Sequence, residues 1–418
     1  MPSDSPTKTL LILSQVYVPD HASVGQHMAD AATEMARRGY RVVVLAANRG
    51  YNDPSMKYPP SEVLDGVEVL RIPLSSFGKK SIPMRLLASA SFLIQCVLRG
   101  VFTRRLACVL VSTSPPMCSA AALIIAAIRG ARVKYWVMDL NPDQMIAMGW
   151  INASSPIVKL FDWFNRMVLR RASDIITLDR FMAERVLRKL DVREKLHVMP
   201  PWPHDDHLEP VRHEDNPFRK QHNLQGKFVI MYSGNHSIVH PVTTLLEAAV
   251  QLKHERRLVF MFVGGGLAKM DVERTIQQHN PGNIISLPYQ PLAELKYSLS
   301  AADVHAVSVG TKMVGIVHPC KVYGAMAAAR PLLLLGPSPC HASEIIERNE
   351  IGWRIVHGDV AGAVATIRTI LSTAPQKLAE IGRRAQRIVS TQLSKDLLCG
   401  KFCDVLESEV NTTHASAV

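Results

Sequence analysis

The sequence has few cysteines, and their arrangement fits neither a metal site nor a disulfide framework. The seven cysteines among 418 residues include no CxxC pair and no histidine partner at zinc-ligand spacing. Their odd number also argues against a small, fully disulfide-bonded secreted domain. We therefore expect a reducing, cytoplasmic environment. Residues 1–8 hold two prolines and an aspartate ahead of an apolar strand, so we expect no signal peptide there.

Acidic residues are absent from residues 69–138, where ten lysines and arginines occur, and the whole chain has a net charge of +12. The uncharged core of this stretch, residues 86–98, is shorter than the about 20 residues that span a bilayer. Two interpretations remain open for the stretch from Arg71 to Lys134. Its apolar segment, residues 82–102, is either a basic apolar helix on an anionic membrane surface or a core helix with a solvated basic rim. No nucleic-acid motif accompanies these cations, so we expect no nucleic-acid partner.

The length predicts two domains, because 418 residues exceed a single hydrophobic core. A stretch rich in proline and histidine near the middle of the chain interrupts the regular alternation of apolar segments. We place an N-terminal domain at 1–199, a linker at 200–226 and a C-terminal domain at 227–385. A helical segment at 386–418 is expected to pack back toward the N-terminal domain.

Strand and helix signals alternate in both halves of the chain. Residues 9–16 are an apolar strand, residues 28–38 have helical apolar spacing, and residues 40–47 are a second strand. Such a βαβ unit implies a parallel sheet. The same theme returns after the linker, with a strand at 228–232 and a helix at 243–253. The predicted fold class is α/β, with two Rossmann-like parallel sheets.

Loops that contain glycine follow several of the predicted strands. In open parallel sheets a ligand binds outside the carboxyl ends of the strands, so these loops are expected to form one binding region. Each glycine alone is a weak signal, because glycine after a strand is common in turns. The candidate ligand-binding positions in these loops are Gly25, Gly234, Asn235, Gly264, Gly265, Val314 and Gly315.

A lysine at the start of a predicted helix stands out within residues 302–335. Pro319 suits the first position of that helix, and Lys321 then lies in its first turn beside unpaired backbone N–H groups. This arrangement favours a phosphate group. The alternative is that Lys321 is an ordinary solvated cation on a crossover helix.

Taken together, these residues resemble the retaining glycosyltransferases of the GT-B fold, in the large group called family 4. The resemblance covers essentially the whole chain. Its landmarks are the loop 17–25, the turn 38–42, the segments 232–235, 262–266 and 301–304, and the run 319–331. Residues 139–143 and the pattern Pro319-x-Lys321-x-Tyr323 are most similar to the branch that builds bacterial surface polysaccharides such as colanic acid and O-antigen.

The resemblance implies a nucleotide-sugar donor on the C-terminal domain, with no cofactor and no obligatory metal. Lys321 is then the catalytic cation that stabilises the departing diphosphate, and Pro319 and His240 join the donor-binding set. The sequence departs from the family in its acidic residues. The second of two expected glutamates falls at Gly324, and no acidic residue occurs between Asp303 and Glu344. Glu344 is the available substitute for the carboxylate that binds the donor ribose.

Two aspartates follow the predicted strand at 133–138, where the resembled family often has a histidine. Asp139 is the candidate for orienting or deprotonating the acceptor hydroxyl, which makes it the second predicted catalytic residue. Asp143 is an acceptor-side candidate too, although the residue after Pro142 also suits the cap of a helix that begins near Gln144.

The predicted function is transfer of a sugar, with retention, from a nucleotide-sugar to a lipid-linked glycan or polyprenyl-linked acceptor. This activity belongs to cell-surface polysaccharide synthesis, on the inner face of the plasma membrane. One alternative is a non-hydrolysing nucleotide-sugar epimerase, but such enzymes need carboxylates that residues 304–343 lack. Another alternative is a non-catalytic, glycosyltransferase-like subunit of an assembly.

Overall fold

A computed structural model of the chain describes residues 8–20, 22–50, 55–73, 82–115, 117–203 and 208–408, without the side chains of 82–86 and 292. The chain divides into two compact units. Unit 1 comprises Met1–Pro201 together with Asp396–Val418, and unit 2 comprises Trp202–Lys395. Each unit is built on its own, mainly parallel sheet, so the predicted fold class of two parallel-sheet α/β domains is confirmed.

Unit 1 contains an eight-stranded sheet in the order β3-β4-β2-β1-β5-β6-β7-β8. Only the β3–β4 pair is antiparallel among the named strands. The central strands are buried on both faces and are almost wholly apolar, as is typical of parallel sheets covered by helices. The strands are β1 Thr9–Leu13, β2 Arg41–Ala47, β3 Ser61–Leu64, β4 Val67–Ile72, β5 Leu106–Ser112, β6 Arg132–Val137, β7 Asp174–Thr177 and β8 Leu196–Val198.

Helices cover both faces of this sheet. Crossovers between parallel strands are right-handed. From β1 the chain adds β2 and β4 toward one edge of the sheet, and after β4 it returns and adds β5 to β8 toward the other edge. As a result α2, α3 and α5 lie on the face opposite α1, and α3 packs against both α2 and α5. The helices are α1 Ser23–Arg37, α2 Ile82–Val101, α3 Cys118–Arg129, α4 Asp143–Ala147, α5 Pro156–Arg171 and α6 Arg180–Lys189.

Unit 2 contains a six-stranded parallel sheet in the order β11-β10-β9-β12-β13-β14. The strand predicted at 228–232 is confirmed as β9, and the four leucines of β13 are all buried. The strands are β9 Phe228–Ser233, β10 Leu258–Val263, β11 Ile284–Leu287, β12 Val304–Ser308, β13 Leu332–Leu335 and β14 Gly352–Ile355. The helices are α7 Pro217–Gln221, α8 Thr243–Gln251, α9 Lys269–His279, α10 Leu295–Ser300, α11 Lys321–Ala327, α12 His341–Asn349, α13 Val360–Ser372 and α14 Pro375–Gln392.

The last helix, α15 at Lys395–Glu407, packs on unit 1. Lys134 on β6 contacts the C-terminal end of α15. Its Nζ donates hydrogen bonds to the carbonyl oxygens of Val405 at 2.7 Å and Ser408 at 3.0 Å. The same Nζ lies 2.6 Å from the Asp174 carboxylate. Beside it, the Trp136 and Phe402 rings are 4.3 Å apart. A buried ion pair and an aromatic contact therefore hold α15 on unit 1.

The limits of the predicted segments differ from those of the structural units. Position 386 falls inside α14, which packs against α11 and belongs to unit 2. Much of the predicted linker is also part of unit 2. Arg219 is buried there, and its guanidinium donates to the carbonyl oxygens of Ala301, Leu224 and Lys227. Polar residues in this stretch form backbone contacts, which composition alone does not reveal.

The first and last cations of the predicted basic stretch are buried inside unit 1. Arg71 is 1% exposed, with its guanidinium 2.7 Å from the Glu62 carboxylate and 2.6 Å from the Val18 carbonyl oxygen. Lys134 is fully buried in the contacts described above. The prediction that these two cations face a membrane is therefore wrong. Residues 74–81 of the stretch, with two of its lysines, lie outside the described residues. Among the helices of the described ranges, none has the length and apolar character required to cross a membrane.

Candidate active site

Lys321, the first residue of α11, is held by the loop that follows β9. Its Nζ donates hydrogen bonds to the Tyr232 hydroxyl oxygen and to the Asn235 carbonyl oxygen, both at 2.6 Å. The ammonium nitrogen also lies 4.5 Å from the centroid of the Tyr232 ring. The alternative of a freely solvated lysine is therefore wrong. The chain fixes a cation where β9 ends.

Two glycines make this approach of Lys321 possible. Gly234 has a φ of +120°, and a β-carbon on it would lie 2.6 Å from Cε of Lys321. Gly264, with a φ of +126°, faces Gly234 from the next strand, and a β-carbon there would overlap the Gly234 carbonyl oxygen. Both positions need the left-handed backbone that glycine adopts without strain. The two loops and the lysine chain are thus in direct contact.

The charge of Lys321 is easily modulated. Burial lowers the pKa of its amine from 10.5 to about 7, against a smaller opposing effect of Cys320. The two groups that accept its hydrogen bonds are neutral, so they compensate for lost hydration only in part. An anion placed beside the amine would raise the pKa again and bind strongly.

Two histidines next to Lys321 stay uncharged. Burial first, and then the positive charges of Lys269 and Lys321, lower the pKa of His236 to about 4. Burial and the charge of Lys321 lower the pKa of His240 to about 3. The Ser308 backbone binds the His240 ring, while its Nδ1 has no hydrogen-bond partner among the described residues. A neutral imidazole that donates through one nitrogen offers the other as an acceptor.

A chain of three side chains lies at the ends of β12 and β13. The Tyr323 hydroxyl is 2.8 Å from Nε2 of His318 and 3.0 Å from Nε2 of His341. A single hydroxyl can donate to one imidazole while it accepts from the other, so these contacts fix the orientation of both rings. The sequence placed Tyr323 in a landmark motif but gave no reason to pair it with either histidine.

The remaining predicted donor positions are placed less favourably. Pro319 precedes α11 by two residues instead of opening it, and Cys320 is the cap. Gly315 lies in the turn after β12 with a φ of +70°, next to Val314. The following amides, those of Ile316 and Val317, already donate to the Met313 carbonyl oxygen. These two amides are therefore not free to bind a phosphate group.

Gly25 and Glu344 lie in helices. Gly25 is in the first turn of α1, which begins earlier than predicted, and its backbone packs on Tyr17. It belongs to unit 1. Glu344 is in the first turn of α12, and its carboxylate is 3.4 Å from Arg348. The structure thus brings Gly234, Asn235, His240, Gly264 and Lys321 together and leaves Glu344 on a separate helix.

On unit 1, Asp139 lines a small cavity of about 40 Å³ at the carboxyl end of β6. Its backbone N–H donates to the Thr113 hydroxyl at 3.1 Å, and so does that of Met138. Burial raises the pKa of the Asp139 carboxyl to about 6. A carboxyl group that titrates in this range is suited to proton transfer.

Asp143 is engaged in an ion pair. Its carboxylate lies 2.8 Å from Nζ of Lys189, which is also 2.8 Å from Asp162. Asp143 begins α4, but the cap residue is Pro142 and no side chain caps the helix. Capping by Asp143 is therefore wrong, and its carboxylate is already engaged by the ammonium group of Lys189.

Two family models match the chain, one to each half. The model described as a glycosyl transferase 4-like domain matches residues 23–202. The model described as glycosyl transferases group 1 matches residues 214–388. The chain belongs to the GT-B glycosyltransferases of the family 4 type.

Two bacterial proteins that are similar to this glycosyltransferase bear glycosyltransferase names. The chain is 25% identical over 270 residues to the probable glycosyltransferase WbjE of Pseudomonas aeruginosa. That match covers 64% of this chain and 66% of the relative, just under two thirds of its length. It is also 25% identical over 331 residues to the putative colanic acid biosynthesis glycosyl transferase WcaI of Escherichia coli K12, covering 76% of this chain and 81% of WcaI.

Solved structures share the fold of this glycosyltransferase at low sequence identity. Sucrose-phosphate synthase from Thermosynechococcus elongatus has a TM-score of 0.77 at 14% identity, over 96% of this chain and 98% of that one. Anabaena HepE, solved with UDP and glucose, has a TM-score of 0.72 at 16% identity, over 96% of this chain and 99% of HepE. WaaG, described as a glycosyltransferase involved in lipopolysaccharide biosynthesis, has a TM-score of 0.70 at 15% identity, over 96% and 100%.

Proposed function

We propose that this enzyme transfers a sugar from a nucleotide-sugar to a lipid-linked glycan acceptor, with retention and without a metal ion. The observation that carries the proposal is the amine of Lys321, held by neutral groups at the carboxyl end of β9. Departure of a nucleoside diphosphate develops negative charge, and a preorganised cation stabilises that charge. Retention follows the family resemblance, and the acceptor proton passes either to the leaving phosphate or to a carboxylate, for which Asp139 is the candidate.

A nucleotide-sugar fits this part of unit 2. Structures of HepE are described with UDP and with UDP-glucose, which supports a uridine nucleotide as the first candidate. With Gly324 in place of a glutamate, we expect the diphosphate to be bound more firmly than the ribose. The unpaired Nδ1 of His240 is the proposed acceptor for a hydroxyl group of the transferred sugar.

The acceptor is proposed from unit 1 and from the relatives. Asp139 lines a cavity of about 40 Å³ together with the polar side chains of Thr113, Asn165 and Lys189, which leaves room for a single hydroxyl group of the acceptor. The names of WcaI and WaaG refer to colanic acid and lipopolysaccharide biosynthesis. We infer from these names a lipid-linked acceptor, and with it a position on the cytoplasmic face of a membrane.

A panel of nucleotide-sugars tests this function. Each is added in a thermal-shift measurement, because a ligand that binds the native state raises apparent stability. The donor that binds is then assayed for transfer, with and without a chelator, and the anomeric configuration of the product is determined. We expect one donor class to bind, the chelator to have no effect and the product to retain configuration.

Lys321→Ala is the decisive variant, and Lys253→Ala is its matched control, an exposed lysine of the same unit. Loss of a charge-assisted contact to the diphosphate is expected to weaken donor binding about tenfold to a hundredfold. Equal donor binding by the two variants would overturn the role of Lys321. Donor binding without transfer to any acceptor would support the non-catalytic subunit, and interconversion of the sugar would support the epimerase.

A further inference from the structure

The helices on one face of unit 1 expose an unusually apolar outer surface. In α2 the buried residues Phe92, Cys96 and Gly100 face the sheet, while Leu87, Ile94 and Leu98 point outward. The outward residues are separated by seven and four positions, so they form one stripe along the helix. The helix therefore packs on the sheet with one face and exposes an apolar stripe on the other.

The stripe continues onto the neighbouring helices. Ile128 on α3 and Ile157, Leu160 and Trp163 on α5 are exposed, and α3 packs against both α2 and α5. These four residues and the three of α2 are each 58 to 63% exposed. We call the outer surface of α2, α3 and α5 the outer face. Soluble proteins seldom leave so many large apolar side chains on adjoining helices without a partner.

The charges of the outer face have one sign. The sequences of α2, α3 and α5 contain a single acidic residue, Asp162, and it is already paired with Arg166 and Lys189. Exposed cations occur on all three helices, namely Arg99, Arg129, Lys159, Arg170 and Arg171. A surface that combines apolar side chains with unbalanced positive charge is complementary to anionic lipid head groups.

We propose that the outer face rests on an anionic phospholipid bilayer, with Leu160 and Trp163 inserted at the level of the head groups. Tryptophan favours that level, because its ring is apolar and its N–H is polar. A second copy of the chain is a poorer occupant, because two outer faces of the same positive charge repel each other.

This placement brings the bilayer next to the acceptor cavity, and this step rests on the proposed function. Phe161 and Phe164 of α5 line the cavity of Asp139, while Leu160 and Trp163 of the same helix point outward. One helix therefore separates the bilayer from Asp139. An acceptor anchored in this bilayer by its lipid is held about one helix diameter, roughly 10 Å, from the cavity.

Binding of the full chain to phosphatidylcholine vesicles, with and without phosphatidylglycerol, tests the proposal. We expect co-sedimentation only with anionic vesicles, lost at high salt, and a blue shift of tryptophan emission on binding. Trp163 is the one tryptophan in the sequences of α2, α3 and α5 and is 61% exposed, so the part of the shift that the variant Trp163→Phe loses reports this face.

The double variant Leu160→Ser/Trp163→Ser is expected to weaken vesicle binding by about tenfold or more. A second variant, Arg99→Glu/Lys159→Glu, is expected to abolish the preference for anionic lipid. The matched control is Val63→Ser, which alters an apolar side chain of unit 1 that is 69% exposed on β3.

Unchanged vesicle binding by the double variant would overturn the proposal, and so would concentration-dependent dimerisation through the outer face in the absence of lipid. Donor binding, followed by thermal shift, is expected to be the same in all variants. Failure of the wild-type chain to bind any donor counts against the proposed function, whereas failure to bind vesicles counts against the outer face.

Discussion

The Nζ of Lys321 lies 2.6 Å from the hydroxyl oxygen of Tyr232, across 89 positions of sequence. Tyr232 ends a buried stretch of β9, and its own hydroxyl donates to the Asn235 carbonyl oxygen, which Lys321 also contacts. The lysine is therefore oriented before any ligand arrives, by groups that carry no negative charge. A diphosphate would be the first full counter-charge to reach it.

Donor affinity is expected to depend on pH. The pKa of Lys321 is about 7 in the free protein, and a bound diphosphate raises it. Binding then takes up a proton above about pH 7, so affinity is constant below that pH and falls up to about tenfold per unit above it. Calorimetric titration with a nucleotide-sugar across this range measures the slope, which should vanish in Lys321→Ala. A flat profile in the wild type would contradict the proposed protonation change.

Gly234→Ala is expected to displace Lys321. A β-carbon at this position meets the lysine Cε, and the φ of +120° adds about 1–3 kcal/mol of backbone strain. Chemical denaturation and donor titration measure the two effects. The control is Gly282→Ala, where φ is +71° and no atom lies within 4 Å of the added carbon. We expect that variant to lose stability but to keep its donor affinity.

His240→Phe is expected to weaken binding of the sugar part of the donor without weakening binding of its nucleotide part. The substitution removes the unpaired Nδ1 but keeps a ring of similar size in the same buried position. Affinity for the nucleotide-sugar should fall about threefold to tenfold, as for loss of one hydrogen bond, while affinity for the nucleoside diphosphate alone should hold. An equal fall for both ligands would place His240 at the nucleotide instead.

Asp139→Asn tests the acceptor side. The carboxyl has a pKa of about 6, so if the carboxylate assists the acceptor, the transfer rate rises with pH through that value. In the Asp139→Asn variant the rise of the transfer rate with pH should disappear, and the rate should fall by a factor of about 10²–10⁴. Asp191→Asn, at an exposed aspartate of unit 1, is the control. A rate that keeps its pH limb in Asp139→Asn would leave the leaving phosphate as the only base.

Lys134→Met is expected to destabilise unit 1. The substitution leaves the buried Asp174 carboxylate without its 2.6 Å partner and removes the contacts to Val405 and Ser408. Breaking a buried pair in this way costs about 3–5 kcal/mol, which denaturant unfolding would reveal. Proteolysis should also begin near Asp396. The double variant Lys134→Met/Asp174→Leu should recover part of the loss, and no recovery would contradict the ion-pair explanation.

Much of the fold could be predicted from apolar periodicity. Strands such as β10 and β13 consist of continuous apolar residues between turns. All these residues are buried, because both faces of the sheet are covered. The β3–β4 hairpin was missed, although Asp65-Gly66 is a strong hairpin signal and both residues have positive φ. Its strands are short and half exposed, so their alternation is weak.

The candidate site was predictable only where local sequence marks it. The glycines at 234 and 264 follow recognisable strands, and the lysine at 321 stands at a recognisable helix start. The acceptor for that lysine, Tyr232, is one more aromatic residue in a strand until the fold brings it close. Burial of Arg71 and Lys134 was hidden for the same reason, because their partners Glu62 and Asp174 are chosen by tertiary packing.

The return of α15 to unit 1 sets an order for folding during synthesis. Unit 2 is an insertion within unit 1, so the ribosome completes all of it before residues from Asp396 onward emerge. Until then Lys134 lacks two of its hydrogen-bond acceptors and Trp136 lacks the ring of Phe402. The first unit to begin folding is thus the last to finish, and a nascent chain that stalls before its final helix exposes an unfinished core to proteases and chaperones.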